Sequence, residues 1–260
     1  MHKQPMLGPK PPADFNPPRQ FWYIACASSQ LADKPRAVRV LDHDIAVYRD
    51  GEGRPAALED RCCHRGVRLS LGRVTKGHLA CGYHGWQYER GGQCVFIPSL
   101  CEDQEMPGGV RVRSFPCVEQ DGYVWVWTGE GPPSPSEPAR ISGFEGAAWR
   151  QGTCDNDCSA TMLLENQFDC AHPAFAHEGM HPSYFFSRLK GLREYEFEVR
   201  TTADGMVAFF PPTQSADDPL PEESNSRTSF EAPNRIYIRQ KMFTVDFCLV
   251  LHIIPTSPNT

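Results

Sequence analysis

Two short loops constrain this chain more than anything else in it. The first reads Cys62-Cys63-His64 and the second Cys81-Gly82-Tyr83-His84, a C-x-H-x16-C-x2-H pattern. Each loop offers one thiolate and one imidazole. A fold that sets the loops face to face can therefore grip an inorganic centre from both ends. Soft thiolates suit iron–sulfur chemistry, and imidazole can replace thiolate on one iron. Two neutral His in place of two anionic Cys make such a cluster less negative, which raises its reduction potential. Gly66, Gly82 and Gly85 beside these residues fit tight backbone turns. A structural zinc site is the competing reading. Zinc modules usually combine C-x2–4-C with H-x3–5-H, and a C-x-H pair departs from that spacing.

Composition sets the context. The 11 Cys are an odd number in a chain of 260 residues, which argues against a secreted disulfide scaffold and for metal ligation. The formal net charge is −6 and no Lys/Arg block is present, which argues against nucleic acid as a partner. The most apolar stretch, residues 243–254, is interrupted by Asp246 and His252 and falls short of the roughly 20 apolar residues of a membrane span. Residues 1–18 are polar and proline-rich, without the apolar run of a signal peptide. These features predict a soluble cytoplasmic protein that does not enter a membrane.

The chain divides by pattern. Residues 1–18 read as an extended arm and 19–130 as an all-β domain. Residues 131–146 read as a Pro/Gly-rich linker and 147–260 as a second, α+β domain. In the first domain, residues 37–41 and 45–48 flank Asp42-His43-Asp44 as a hairpin. Residues 110–115 alternate Val and Arg like a half-buried strand, and 123–128 form a continuous β-branched and aromatic run, a buried strand. Trp22, Trp86, Trp125, Trp127 and Trp149 read as core. In the second domain, residues 161–172 have helical character. Strands are expected at 194–200, 206–210, 235–239 and 245–254, and residues 211–227 form a polar loop.

The expected helix carries a second constellation. Asn166, Asp169 and His172 stand at i, i+3 and i+6, one stripe of a helix. Pro173 should end or kink the helix at His172. On an unbroken helix His172 and His177 would point about 140° apart, so the break lets both imidazoles reach one ion. Two His with one carboxylate make the facial triad of non-haem Fe(II) oxygenases. His177 and His181, at i and i+4, are an alternative zinc pair, and a helix His with an ordinary structural role is another.

Together these residues resemble the Rieske non-haem iron oxygenases. Cys62-Cys63-His64-Arg65-Gly66 and Cys81-Gly82-Tyr83-His84-Gly85-Trp86 are similar to the Rieske 2Fe–2S motif. Leu58-Glu59-Asp60-Arg61 before it and Ile97-Pro98-Ser99 after it resemble the oxygenase branch in particular. The resemblance implies that Cys62 and Cys81 bind one iron of the cluster and His64 and His84 the other. N-x-x-D-x-x-H-x4-H matches the family's mononuclear-iron motif. By that match His172 and His177 are the Fe(II) ligands. Asp169 bridges an iron-bound His to a cluster His of the neighbouring subunit in a homotrimer, and Asn166 lies close to the iron.

The family most often has Pro where this chain has Cys63. It also supplies a carboxylate iron ligand from a helix beyond the final strands, and no matching motif is found before residue 260. Asp246, the nearest acid, lies in an expected strand. The resemblance thus implies an all-β Rieske domain followed by an incomplete antiparallel-sheet-plus-helices (helix-grip) catalytic domain, truncated at its C-terminus and with sheet surface left bare. The compact form resembles the vanillate and dicamba demethylase-like branch. That implies oxidative demethylation or hydroxylation of a small aromatic or heterocyclic compound with O2. Electrons would come from an NAD(P)H-dependent reductase or a ferredoxin, since no G-x-G-x-x-G is present. An electron-transfer or non-catalytic Rieske protein with a degenerate second domain is the alternative.

Overall fold

The computed structural model describes residues 18–101, 103–141, 148–169, 198–203, 205–210, 226–242 and 245–256. The chain runs through β1 (Trp22–Ala27), β2 (Arg36–Val40), β3 (His43–Arg49), β4 (Pro55–Glu59), β5 (Arg73–Thr75), β6 (His78–Ala80), β7 (Gln87–Tyr88) and β8 (Cys94–Phe96). It continues through β9 (Ser114–Phe115), β10 (Cys117–Gln120), β11 (Tyr123–Trp127), α1 (Ala160–Phe168), β12 (Glu198–Thr202), β13 (Gly205–Phe210), β14 (Ser226–Glu231), β15 (Arg235–Met242) and β16 (Val245–His252). Two compact units result: Asn16–Gln151 with Ile254–Pro258, and Gly152–Ile253.

The first unit is built on antiparallel sheets stacked around β3 and β4. One sheet has the order β1-β11-β10, the second β2-β3-β4-β9 and the third β5-β6-β7-β8. Strand β3 explains the stacking. Ile45 and Val47 belong to one core cluster and Ala46 and Tyr48 to another, and all four are fully buried. Side chains alternate between the faces of a strand, so a strand with no polar alternation has to be covered on both sides. Tyr23, Cys26, Val124 and Val126 cover one face. Leu69, Leu79, Tyr88 and the two candidate ligand thiols, Cys62 and Cys81, lie in the cluster on the other. The ligand loops are thus anchored in core packing at their Cys ends.

Several local expectations are revised. The hairpin turn is tighter than Asp42-His43-Asp44: Leu41 takes a positive φ of 56° and is buried, while His43 and Asp44 already belong to β3. Residues 110–115 do not make one strand. The Val110 carbonyl accepts from the Cys94 amide, and the Arg113 carbonyl from the Glu59 amide. The segment changes partner midway and pairs with β4 only at Ser114–Phe115. The Gly/Pro-rich stretch after β11 packs on the first unit. Trp22 Nε1 donates to the Pro135 carbonyl and Gln120 Nε2 to that of Pro138, each at 2.9 Å. Trp22, Trp125 and Trp127 are core, whereas Trp149 is 52% exposed.

In the second unit, β12 to β16 form an antiparallel meander in sequence order. Strand β14 is an addition to the sequence reading. Its sequence, SRTSFE, is too polar to stand out, yet it pairs on both sides, with β13 and β15. The register sets Val199, Met206, Phe247 and Leu249 on one face of the sheet, where all four are exposed. Helix α1 starts at a Ser159 cap, whose hydroxyl accepts from the Met162 amide at 3.2 Å. It ends at Phe168, shorter than expected. Asp169 is the C-cap, with extended backbone (φ −75°, ψ 94°). Among the described residues no helix is long and apolar enough to cross a membrane.

Candidate metal centre

Two loops of matched design hold the candidate ligands. In the first, the Cys62 amide donates to the Val67 carbonyl and the Gly66 amide to the Cys62 carbonyl, both at 2.8 Å. In the second, the Cys81 amide donates to the Trp86 carbonyl at 2.8 Å and the Gly85 amide to the Cys81 carbonyl at 3.0 Å. Each loop therefore closes from Cys(i) to i+5 and from Gly(i+4) back to Cys(i). The glycine turns with φ of 72° at Gly66 and 73° at Gly85, a left-handed conformation that costs side-chain-bearing residues about 1 kcal/mol or more. This closure places His64 two residues and His84 three residues after the ligand Cys.

The loops bring the four residues together as two pairs. The Cys62 and Cys81 thiols are within hydrogen-bonding reach of each other, and the amides of Tyr83 and His84 point at the Cys81 sulfur. The imidazoles of His64 and His84 lie 4.7 Å apart between ring centroids. Both thiols are buried, at 3% and 2% exposure, while both imidazoles are exposed. Two donors at each of two ends is what a two-iron cluster needs; a tetrahedral zinc needs all four around one ion. The donor set fits a 2Fe–2S cluster with a buried thiolate end and an imidazole end at the surface.

The electrostatics follow from this placement. Burial pushes the Cys81 thiol above its ordinary pKa, partly offset by the two amides aimed at it. Those amides are preformed donors for a metal-bound thiolate. Partial desolvation, then the neighbouring His84 and Arg65, hold His64 below its ordinary value. That favours the neutral imidazole a metal requires.

Three supporting residues were not singled out from the sequence as site residues. Trp86, expected in the core, packs partly buried against the core cluster and also stacks on His64, with rings parallel to within 1° and centroids 4.5 Å apart. Tyr88 is fully buried, with its hydroxyl 3.0 Å from Cys62 Sγ. Burial, and then the neighbouring thiols, raise its phenol pKa far above the ordinary value. The sequence signal available was the pair of aromatics, Trp86 and Tyr88, directly after the second ligand loop. Asp60, 5% exposed, accepts from the Ser70 amide and from Ser70 Oγ at 2.6 Å each. It ties the end of β4 to the segment between the two loops. Asp60→Ala should cost about 2–4 kcal/mol, because two charge-assisted bonds go and the Ser70 amide is left without its acceptor. Urea unfolding would read this as a lower midpoint, with Asp60→Asn recovering part of it.

The second constellation is described only in part. Asn166 lies in the last turn of α1, and its Oδ1 accepts from Gln167 Nε2 at 3.1 Å. Asp169 follows as the exposed C-cap, its amide still donating to the Glu165 carbonyl at 3.0 Å. His172, His177 and His181 lie outside the described residues. Asp246 lies in β16 opposite Lys241. A separate open cavity of about 710 Å³ is lined by Arg90, Arg113, Phe115 and Trp127, and none of the four cluster residues borders it.

Fold and site together are those of a Rieske-type domain. Residues 21–116 match the family model described as the Rieske [2Fe-2S] domain, and this chain carries that domain. It is a homologue of Rieske oxygenase components. It is 37% identical over 177 residues to the oxygenase component of dicamba O-demethylase from Stenotrophomonas maltophilia, covering 66% of this chain and 51% of that one. It is 36% identical to the oxygenase subunit of vanillate O-demethylase from Pseudomonas sp. (strain HR199 / DSM 7063), covering 62% and 45%. A crystal structure of dicamba monooxygenase bound to dicamba superposes with a TM-score of 0.72 at 25% identity, over 93% of this chain and 74% of that one. The chain spans about half the length of these curated relatives.

Proposed function

We propose that this chain acts in the cytoplasm as an oxygenase component that oxidatively demethylates or hydroxylates a small aromatic or heterocyclic compound. Cys62 and Cys81 would hold one iron of a Rieske cluster, His64 and His84 the other, and His172 and His177 a mononuclear Fe(II). When bound, the cluster supplies one-electron transfer and the mononuclear iron supplies dioxygen chemistry. The observation that carries the reading is the two-and-two pairing of thiols and imidazoles in matched loops. Relatives named as O-demethylase oxygenase components give the reaction class.

The chain's own residues do three things in this scheme. The buried loop framework holds the thiol end away from water. The exposed His64 and His84 would hold the imidazole end of the cluster at the surface, within reach of an NAD(P)H-dependent reductase or ferredoxin. Asp169, as a carboxylate at the end of α1, would bridge an iron-bound His to a cluster His of the next subunit in a homotrimer, with Asn166 close by.

Iron and acid-labile sulfide per chain, measured after anaerobic purification together with an EPR spectrum of the reduced protein, test this. The expected result is a 2Fe–2S complement plus one further iron, with His172→Ala losing only the further iron. A 2Fe–2S complement alone, with no substrate-dependent NADH oxidation in the presence of a reductase, would leave an electron-transfer Rieske protein.

A further inference from the structure

The Tyr88 hydroxyl stands between two sulfurs, 3.0 Å from Cys62 Sγ and 3.3 Å from Cys63 Sγ. One sulfur belongs to a candidate ligand. The other belongs to the exposed residue that follows it. We propose that Cys63 is a positioning residue for the cluster, donating its thiol proton to Tyr88 so that Tyr88 donates more strongly to the Cys62 sulfur and raises the reduction potential. This rests on the cluster reading above.

The order of donors follows from counting protons. A phenol has one proton to give and lone pairs to receive with. An iron-bound Cys62 is a thiolate with no proton and can only accept. Tyr88 must therefore spend its proton on Cys62, because the opposite arrangement would set an oxygen lone pair against a sulfur anion at 3.0 Å. Cys63 keeps its own S–H and faces the remaining lone pairs of the phenol oxygen. The chain runs one way, from Cys63 to Tyr88 to Cys62.

Two features give this chain its strength. A hydrogen bond received by a hydroxyl makes that hydroxyl a better donor, by about 10–30% per bond, and a low local dielectric enhances the effect. Tyr88 is fully buried and Cys62 is 3% exposed. The tyrosine is also held in place. It pairs with Leu79 on β6 and with Cys94 on β8, whose Val95 is passed over in the pairing as a bulge. Hydrogen bonds to cluster sulfurs are among the factors that set the potential. Reduction adds negative charge at the cluster, so a donor aimed at sulfur stabilises the reduced state more than the oxidised one.

The test is a spectroelectrochemical titration of the cluster in the full 260-residue chain. Tyr88→Phe should lower the one-electron equilibrium constant about tenfold, or ~59 mV. Cys63→Ala should lower it in the same direction by about 1.3- to twofold, a 10–30% share of that tenfold effect. Cys63→Ser, which keeps a donor, should restore the wild-type potential. Cys63→Ala added to Tyr88→Phe should change nothing further. Iodoacetamide should shift the wild-type protein as Cys63→Ala does and leave the potential of Cys63→Ala itself unmoved. A Cys63→Ala potential equal to or above wild type would overturn the proposal, as would a Cys63 effect that persists without the Tyr88 hydroxyl. A wild-type protein with no Rieske EPR signal is a separate failure, one that removes the cluster reading itself.

Discussion

Cys81→Ala should leave the purified chain without its cluster. Iron and labile sulfide fall from a full 2Fe–2S complement to near zero, and the EPR signal of the reduced protein disappears with them. The reason lies in where Cys81 stands. Its sulfur pairs with Cys62 and faces the amides of Tyr83 and His84, in a pocket 2% exposed to solvent. Water cannot readily replace a soft anionic ligand in such a place, and alanine leaves amide donors with no acceptor. His84→Ala removes the exposed end instead and should also lose the cluster, because one imidazole then remains for an iron that needs two. Retention of zinc without sulfide in the wild-type chain would show the site to be a structural zinc centre.

The second large effect is expected at a glycine with an ordinary φ. Gly72 follows the 3₁₀ turn Leu69–Leu71, and its amide returns to the Leu69 carbonyl at 2.9 Å. A Cβ on Gly72 would lie 2.0 Å from the Ala80 carbonyl oxygen, in the residue just before Cys81. Neither partner is a side chain, so neither can rotate away. Gly72→Ala should destabilise the chain by about 3 kcal/mol or more, since overpacking against backbone forces the backbone itself to move. It should also reduce iron per chain, because the displaced segment leads into the second ligand loop. Gly53→Ala is the control. Gly53 has a φ of 77° but nothing within 4 Å of its Cβ position, so its cost should stay near 1 kcal/mol. Urea unfolding of the two variants separates close approach from backbone conformation. Equal losses would show that the Gly72 contact relaxes without cost.

The candidate site was legible from sequence where its geometry is local. Cys62, His64, Cys81 and His84 stand out because each loop closes on itself within five residues, and Gly66 and Gly85 advertise the left-handed turns that closure requires. Strand β11 was legible for a similar reason: a run of Tyr, Val and Trp has few alternatives to a buried strand. Asn166 and Asp169 keep the expected i, i+3 spacing at the end of α1, where the Asp169 amide still returns to the Glu165 carbonyl at 3.0 Å; His172, the third residue of the expected stripe, lies outside the described residues.

The sequence by itself determined which residues could hold a cluster, because ligand type and loop closure are properties of a few consecutive residues. Tertiary structure alone decided that the thiols are buried and the imidazoles exposed, that Trp86 lies flat on His64, and that Tyr88 stands between Cys62 and Cys63. Each of these depends on how β7 registers against β6 and β8 and on which core cluster covers β3. Such pairings join residues some 26 positions apart, Cys62 and Tyr88 among them. The pattern of a loop carries no information about what a distant strand will place against it, because that is settled only when the sheets stack and their shared core excludes water.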